Sequence, residues 1–276
     1  MANTFGKAKK TRSKSDNTNK HRKSVENIVD YVIENSDIIL EVLDARFIEQ
    51  TRQKEIEEKI KMLGKRLIFV LNKSDLVDSN KIYRETELEK LKPGVTFSAK
   101  VRKGVFNLKR LIKKEAKKIK KDDINIGVIG YPNAGKSSLI NLLAGKASAK
   151  VSSESGYTKS FQKIRLSEGL YLIDTPGIIS EEDRSALPEN KARQARIGAI
   201  SWDKIRDPEM AVTRIMKDYP GVLEYHYKID EQGDPETLIE NLGRRLNYLK
   251  KGNKVDEMRT TKQILKDWQG GKIKQK

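Results

Sequence analysis

Between residues 37 and 129, continuous apolar runs alternate with charged stretches of helical spacing. Asp37 to Leu43 (DIILEVL), Arg66 to Leu71 (RLIFVL) and Ile124 to Ile129 read as strands buried on both faces, with a shorter strand at Val95 and Phe97. The intervening segments predict helices. Val25 to Glu34 puts Val25, Ile28, Val29 and Val32 on one side, and Thr51 to Leu63 is polar and stops at Gly64. Ser79 to Leu91 ends before Pro93-Gly94. Lys103 to Lys121 has Phe106, Leu108, Leu111 and Ile112 inward and a lysine face outward. Such alternation predicts an α/β architecture, a parallel sheet covered on both faces. Phe161 to Leu166 and Leu170 to Ile173, joined across Ser167-Glu168-Gly169, predict a hairpin. From about Asn190 the spacing is helical, with breaks at Asp207-Pro208, Pro220-Gly221, Asp234-Pro235 and Gly252-Asn253, which predicts a separate all-α domain. Its last helix, Val255 to Gln269, is expected to place Met258, Leu265 and Trp268 on one face.

Candidate chemistry sits at the strand ends. Gly130-Tyr131-Pro132-Asn133-Ala134-Gly135-Lys136-Ser137 fits the phosphate-binding pattern G-x-x-x-x-G-K-[ST] between a predicted strand and a predicted helix. Glycines there let backbone N–H groups close on phosphate oxygens, with the positive end of a helix behind them. Asn133, Ala134, Gly135, Lys136, Ser137 and Ser138 are therefore expected to line a nucleotide, with Lys136 on the outer phosphates and Ser137 on Mg²⁺. Asn72-Lys73-Ser74-Asp75 follows another strand. A carboxylate at Asp75 pairs with the two donors on the edge of guanine, which adenine lacks, and the Lys73 stem covers the base. Ser98-Ala99-Lys100 follows the short strand and can offer a backbone N–H to guanine O6. Asp174, in Asp174-Thr175-Pro176-Gly177, can bind Mg²⁺ through water, and the Gly177 N–H can meet a γ-phosphate. Lys146 to Ser160 has no periodicity and reads as a loop, in which Thr158 is the candidate for closing on Mg²⁺. Glu181 to Glu189 reads as a second loop.

The formal net charge is +18 on 276 residues, an excess that points to a polyanionic partner, most plainly nucleic acid. Residues 1–23 form a basic, apolar-poor arm, residues 24–189 the nucleotide-binding domain and residues 190–276 the helical domain. The chain has no cysteine and two histidines, which argues against disulfides and against cysteine or histidine metal sites. No apolar run approaches the ~20 residues of a membrane helix, and the basic, polar start does not read as a secretory signal. We expect a cytoplasmic protein without membrane contact, and a monomer.

The order of these elements is unusual, because the NKSD and SAK segments precede the phosphate loop. Together with Asp44-Ala45-Arg46, Gly156-Tyr157-Thr158, DTPGI and the closing Ile264-Leu265-Lys266-Asp267-Trp268-Gln269, it resembles the YlqF-type circularly permuted GTPases, which include assembly factors of the large ribosomal subunit. The resemblance runs from about Val25 to Lys272. It implies a Ras-like P-loop GTPase domain in the order G4-G5-G1-G2-G3 followed by the all-α domain, with GTP/GDP and Mg²⁺ as ligands. It also implies rRNA or a large-subunit precursor as partner. A GTPase regulating another RNA-linked process, and an RNA-binding scaffold holding GTP as a structural ligand, stay open as alternatives.

Lys136, Thr158 and Gly177 are the expected groups around the γ-phosphate. Where Ras carries a water-positioning glutamine after DxxG this chain has Ile178, so hydrolysis is expected to be slow without activation. Asn133 resembles the asparagine with which related GTPases use K⁺ in place of an arginine finger. His21 stands where some members carry a catalytic histidine, but Asn19-Lys20-His21-Arg22 lacks the surrounding motif, and an exposed arm residue is expected. His226 is expected to be a packing or surface residue. Arg46 reads either as a strand-end structural group or as a contact to the switch region. The break in the permuted order falls after DTPG, so a γ-phosphate-dependent movement at Gly177 would reach both basic extensions.

Overall fold

The computed structural model describes residues 29–77, 91–145, 163–173, 188–229 and 233–274. Strand β1 (Ile38–Asp44) is buried along its whole length and forms the middle of a six-stranded sheet. It pairs in parallel with β2 (Arg66–Asn72) on one side and β4 (Ile124–Gly130) on the other. β3 (Gly94–Thr96) extends the sheet beyond β2. β6 (Leu170–Ile173) pairs in parallel with β4, and β5 (Lys163–Ser167) closes the edge antiparallel to β6 as the expected hairpin. The order β3-β2-β1-β4-β6-β5 puts the ends of β1, β2 and β4 side by side, where the sequence carries DAR, NKSD and the phosphate loop. Reading from β4 through β6 and on to β1–β3 restores the element order of an unpermuted GTPase, so the domain is circularly permuted.

Alternate residues of β1 supply the two faces. Ile38, Leu40 and Val42 pack with Leu108 and Ile112 of α4 (Val105–Ala116) and with Leu139, Ile140 and Leu143 of α5 (Lys136–Ala144). Ile39 faces the other way, onto Val32 and Ile33 of α1 (29–35) and Ile60 of α3 (Lys54–Met62). Two expectations change in this domain, and one buried acid is added. The helix predicted over Thr51 to Leu63 is split into α2 (Ile48–Thr51) and α3, because the Gln53 N–H leaves the helical path to bond Glu41 Oε1. Glu41 itself sits fully buried in a strand otherwise made of apolar residues up to its last position. Phe106 is 76% exposed rather than inward, since it lies about 200° around the helix from Leu108. The helix predicted over Ser79 to Leu91 lies mostly outside the described residues.

The helical domain holds α6 (Pro188–Arg196), α7 (Pro208–Asp218), α8 (Val222–Tyr227), α9 (Pro235–Arg245) and α10 (Glu257–Gln269). The Asp-Pro breaks are helix starts: Asp207 and Asp234 accept hydrogen bonds from the N–H groups of Met210 and Thr237, with proline at the first helical position, and Asp256 caps α10 through Arg259. The Gly252-Asn253 break is the turn of a two-stranded ribbon, β7 (Leu249–Lys250) and β8 (Lys254–Val255), an addition to the helical expectation. On α10 the buried apolar side chains are Ile264, Leu265 and Trp268, whereas Met258, expected on that face, is exposed.

Candidate nucleotide site

Asn72, the last residue of β2, is the centre of the site. Its side chain is buried, and its amide faces two loops at once. Nδ2 donates to Ala134 O of the phosphate loop at 2.7 Å, while Oδ1 accepts from the Ala99 N–H at 3.1 Å. One side chain thereby sets the spacing between the phosphate loop and the segment expected to read guanine O6. The contact also explains a glycine. A Cβ on Gly135 would lie 2.0 Å from Asn72 Nδ2, and Gly135 adopts φ +105°. Gly130 is similarly constrained, with φ +144° and a Cβ position 2.4 Å from Val42 O on the neighbouring strand.

Lys136 is buried at the start of α5 and donates to Gly130 O at 3.0 Å and Tyr131 O at 2.9 Å, so its ammonium spans the loop that would surround phosphates. Ser137 and Ser138 follow and are exposed. Asn133 sits in the left-handed region at φ 57°. On the guanine side, Ser98 Oγ donates to Asp75 Oδ1, and the Ser74 N–H bonds Phe97 O at 3.1 Å. The Ser98–Lys103 bridge closes the Ala99-Lys100 loop. Lys73, left-handed at φ 62°, lays its ammonium 2.8 Å from Asp44 Oδ2. The twelve expected guanine and phosphate-loop residues that are described (Asn72, Lys73, Asp75, Ser98, Ala99, Lys100, Asn133, Ala134, Gly135, Lys136, Ser137, Ser138) thus lie at the ends of β2, β3 and β4. Thr158, Asp174, Gly177, Ile178, His21, the first expected loop and residues 181–187 of the second lie outside the described residues; Pro188 and Glu189, expected in that second loop, instead open α6. His226 is half-buried and edge-on to Tyr227, a packing role.

Arg46 resolves as a tie between domains. Its guanidinium forks onto the buried Asp44 carboxylate, Nε to Oδ1 at 3.0 Å and Nη2 to Oδ2 at 2.8 Å, and Nη1 donates to Trp268 O of α10 at 3.0 Å. Burial alone would raise the Asp44 carboxyl; Lys73 and Arg46 beside it hold it below its ordinary value. The neighbouring Phe47 packs against Tyr219 and Trp268, with ring centroids 6.5 and 6.2 Å apart. The Trp268 indole N–H donates to Arg196 O, and Gln269 Nε2 to Ala195 O and Ile200 O. Asn133 adds a direct link from the phosphate loop, with Nδ2 donating to Gly198 O at 2.7 Å. Between these contacts lies a cleft of about 380 Å³ lined by Lys73, Asn133, Ser201, Trp202, Lys266 and Gln269, among others. Sequence reasoning missed this interdomain seam. Its one signal was the apolar Phe47 immediately after a charged strand end.

Residues 18–182 match the sequence profile of the RsgA GTPase family, and residues 125–241 match that of a 50S ribosome-binding GTPase family. An uncharacterized GTP-binding protein of Methanocaldococcus jannaschii is 38% identical over 90% of this chain and 66% of its own length. Nucleolar GTP-binding protein 2 of Saccharomyces cerevisiae is 35% identical over 88% of this chain and 50% of its own. The chain thus spans about half to two thirds of the length of the curated relatives it matches. The crystal structure of GNP-bound YlqF from T. maritima aligns with a TM-score of 0.65 at 22% identity, covering 91% of this chain and 96% of that one. No helix among the described residues is long and apolar enough to cross a membrane. A phosphate loop clamped to an NKxD element, in permuted order and under a matching profile over more than half its length, makes this chain a member of the RsgA GTPase family, with the fold of YlqF.

Proposed function

We propose that the chain hydrolyses GTP and serves as a nucleotide-dependent switch on precursors of the large ribosomal subunit, which it contacts through rRNA. The observation that carries the nucleotide half is the Asn72 clamp, which joins the guanine-reading loop to the phosphate loop with Asp75 beside it. In this reading Asp75, Lys73 and the Ala99 N–H take guanine, Lys136 takes the outer phosphates, and Asn133 provides a K⁺ ligand. Mg²⁺ fits as an ion carried in with the nucleotide. The Ser137 hydroxyl is exposed one residue after the buried Lys136, and the described residues hold no acidic or histidine cluster that would bind a metal by itself. Ser137, Thr158 and Asp174 would hold it, and it would neutralise charge on the β- and γ-phosphates. The ribosomal half draws support from the net charge of +18 and from the nucleolar GTP-binding relatives.

Co-sedimentation with large-subunit particles, run with GDP and with a non-hydrolysable GTP analogue, tests the reading. Association that depends on the analogue, together with single-turnover hydrolysis of GTP, is the expected result. Equal association in both nucleotide states removes the switch, and failure to turn over GTP on any particle removes the enzyme.

A further inference from the structure

Helix α4 carries an outer face that the nucleotide site does not use. Between Lys92 and Lys121 the chain has twelve lysines and arginines and a single acid, Glu115. Glu115 is buried and paired with Lys118 at 2.6 Å. Lys109, Arg110, Lys113, Lys114 and Lys117 are all exposed, and no ion pair joins any of them to another described residue. They stand at i, i+4 spacing: Lys109 over Lys113 over Lys117, and Arg110 over Lys114. Like charges so placed repel and destabilise the helix that carries them. An ordinary solvated face looks different. Around α3, Arg52 before the helix meets Glu57 and Lys59 meets Asp30, and on α9 Arg244 meets Glu240. Among the described residues, the α4 face has cations without counterions.

Its second feature is Phe106, 76% exposed, one turn from Arg110 on the same stripe. Val101, five residues earlier in the chain, is 57% exposed. A bare aromatic ring at the end of a cationic row matches the pattern by which proteins hold unpaired nucleic acid, phosphates on lysine and arginine and a base on the ring. We propose that the outer face of α4 is an RNA-docking surface, with Arg110, Lys113 and Lys117 along the phosphates of one strand and an unpaired base stacked on Phe106. This rests on the RNA-associated reading above and gives it a location. The helix begins at Val105, directly after the Ser98–Lys103 bridge that closes the guanine-side loop, so the docked strand ends beside the base-reading segment.

The test uses the full chain and two fluorescent probes: an RNA hairpin with an unpaired loop, and a fully paired RNA duplex of the same stem. Titrations are run across a range of salt. The triple variant Arg110→Glu, Lys113→Glu, Lys117→Glu is expected to bind both probes at least tenfold more weakly and to lower the slope of log affinity against log salt by about 2–3, since each lost phosphate contact removes ~0.7–0.9. Phe106→Ala is expected to weaken the hairpin about fivefold or more and leave the duplex unchanged. GTP affinity and thermal midpoint in both variants serve as fold controls, and the charge reversal should not lower the midpoint. Wild-type binding with both variants unaffected overturns this surface and leaves the RNA reading standing. A wild-type chain that binds neither probe overturns both. A triple variant that loses polyglutamate binding as strongly as RNA binding, with Phe106→Ala silent, assigns the face to an acidic protein and overturns the RNA assignment.

Discussion

Asn72→Ala is the most direct probe of the site. The substitution removes the hydrogen bond to Ala134 O at 2.7 Å and the one from Ala99 N at 3.1 Å, both made by a residue 2% exposed. A net buried hydrogen bond is worth about 0.5–1.5 kcal/mol, and an orphaned partner costs about 1–3 kcal/mol. The emptied space lies against Gly135, which has no Cβ to fill it, so water re-enters and repays part of that. About 2–3 kcal/mol remains, and because the two loops it spaces are the ones that hold base and phosphates, most of it falls on binding. We expect affinity for a fluorescent GDP to drop about 30- to 150-fold, with a smaller loss in thermal midpoint. Asn72→Asp sharpens the test. It keeps the acceptor for Ala99 N but sets a carboxylate oxygen against Ala134 O, so it should bind no better than the alanine variant despite its near-identical shape. Affinity within threefold of wild type in Asn72→Ala would refute the clamp.

Three further outcomes follow from described contacts. Burial, and next to it the Glu57 carboxylate, push Glu41 up from 4.5 to about 8; the folded chain keeps a proton that the unfolded chain releases, so stability is full below about pH 4.5 and declines as pH rises toward 8, by about 5 kcal/mol in all. Glu41→Gln keeps an acceptor for the Gln53 N–H and should flatten that decline, and urea unfolding at pH 5 and pH 8 with equal losses in both proteins would refute it. Arg46→Ala leaves the buried Asp44 with Lys73 alone and cuts the bond to Trp268 O; a loss of about 3–5 kcal/mol is expected by denaturant unfolding, which Arg46→Lys should recover only in small part because an ammonium cannot fork. Turnover should be faster in K⁺ than in Na⁺, and Asn133→Ala should abolish the difference; rates indifferent to the ion remove Asn133 from the chemistry.

The strands, their parallel pairing and the ends that carry chemistry were legible because buried strands are written as unbroken apolar runs and phosphate loops as fixed glycine spacing. The positions of Asp75 and Lys136 at strand ends were likewise readable, since the motifs that hold them have fixed spacing, whereas the clamp made by Asn72 was not. Contacts between distant segments were not. Nothing local in Asp44-Ala45-Arg46 says that the guanidinium will reach a carbonyl 222 residues away. The same limit hid the Asn133 bond to Gly198 O. Glu41 is hard to notice because a single acid in DIILEVL does not disturb the apolar average, although burial pushes its carboxyl up to about 8. Phe106 is apolar yet outward, because two residues along a helix put it about 200° around from Leu108.

Phe47 and Trp268 have a consequence for how the protein is made. Phe47 lies just beyond the first strand of the sheet, yet the ring that covers it, and the carbonyl that takes up Arg46, belong to the last helix. At about 5–20 residues per second, translation separates the two by roughly 10–45 s. During that interval the sheet can assemble, but a bulky aromatic and a charged strand end stand without their cover. The final helix therefore acts as the closing piece of the nucleotide domain, and a chain halted short of it would present an aromatic edge for chaperones to hold.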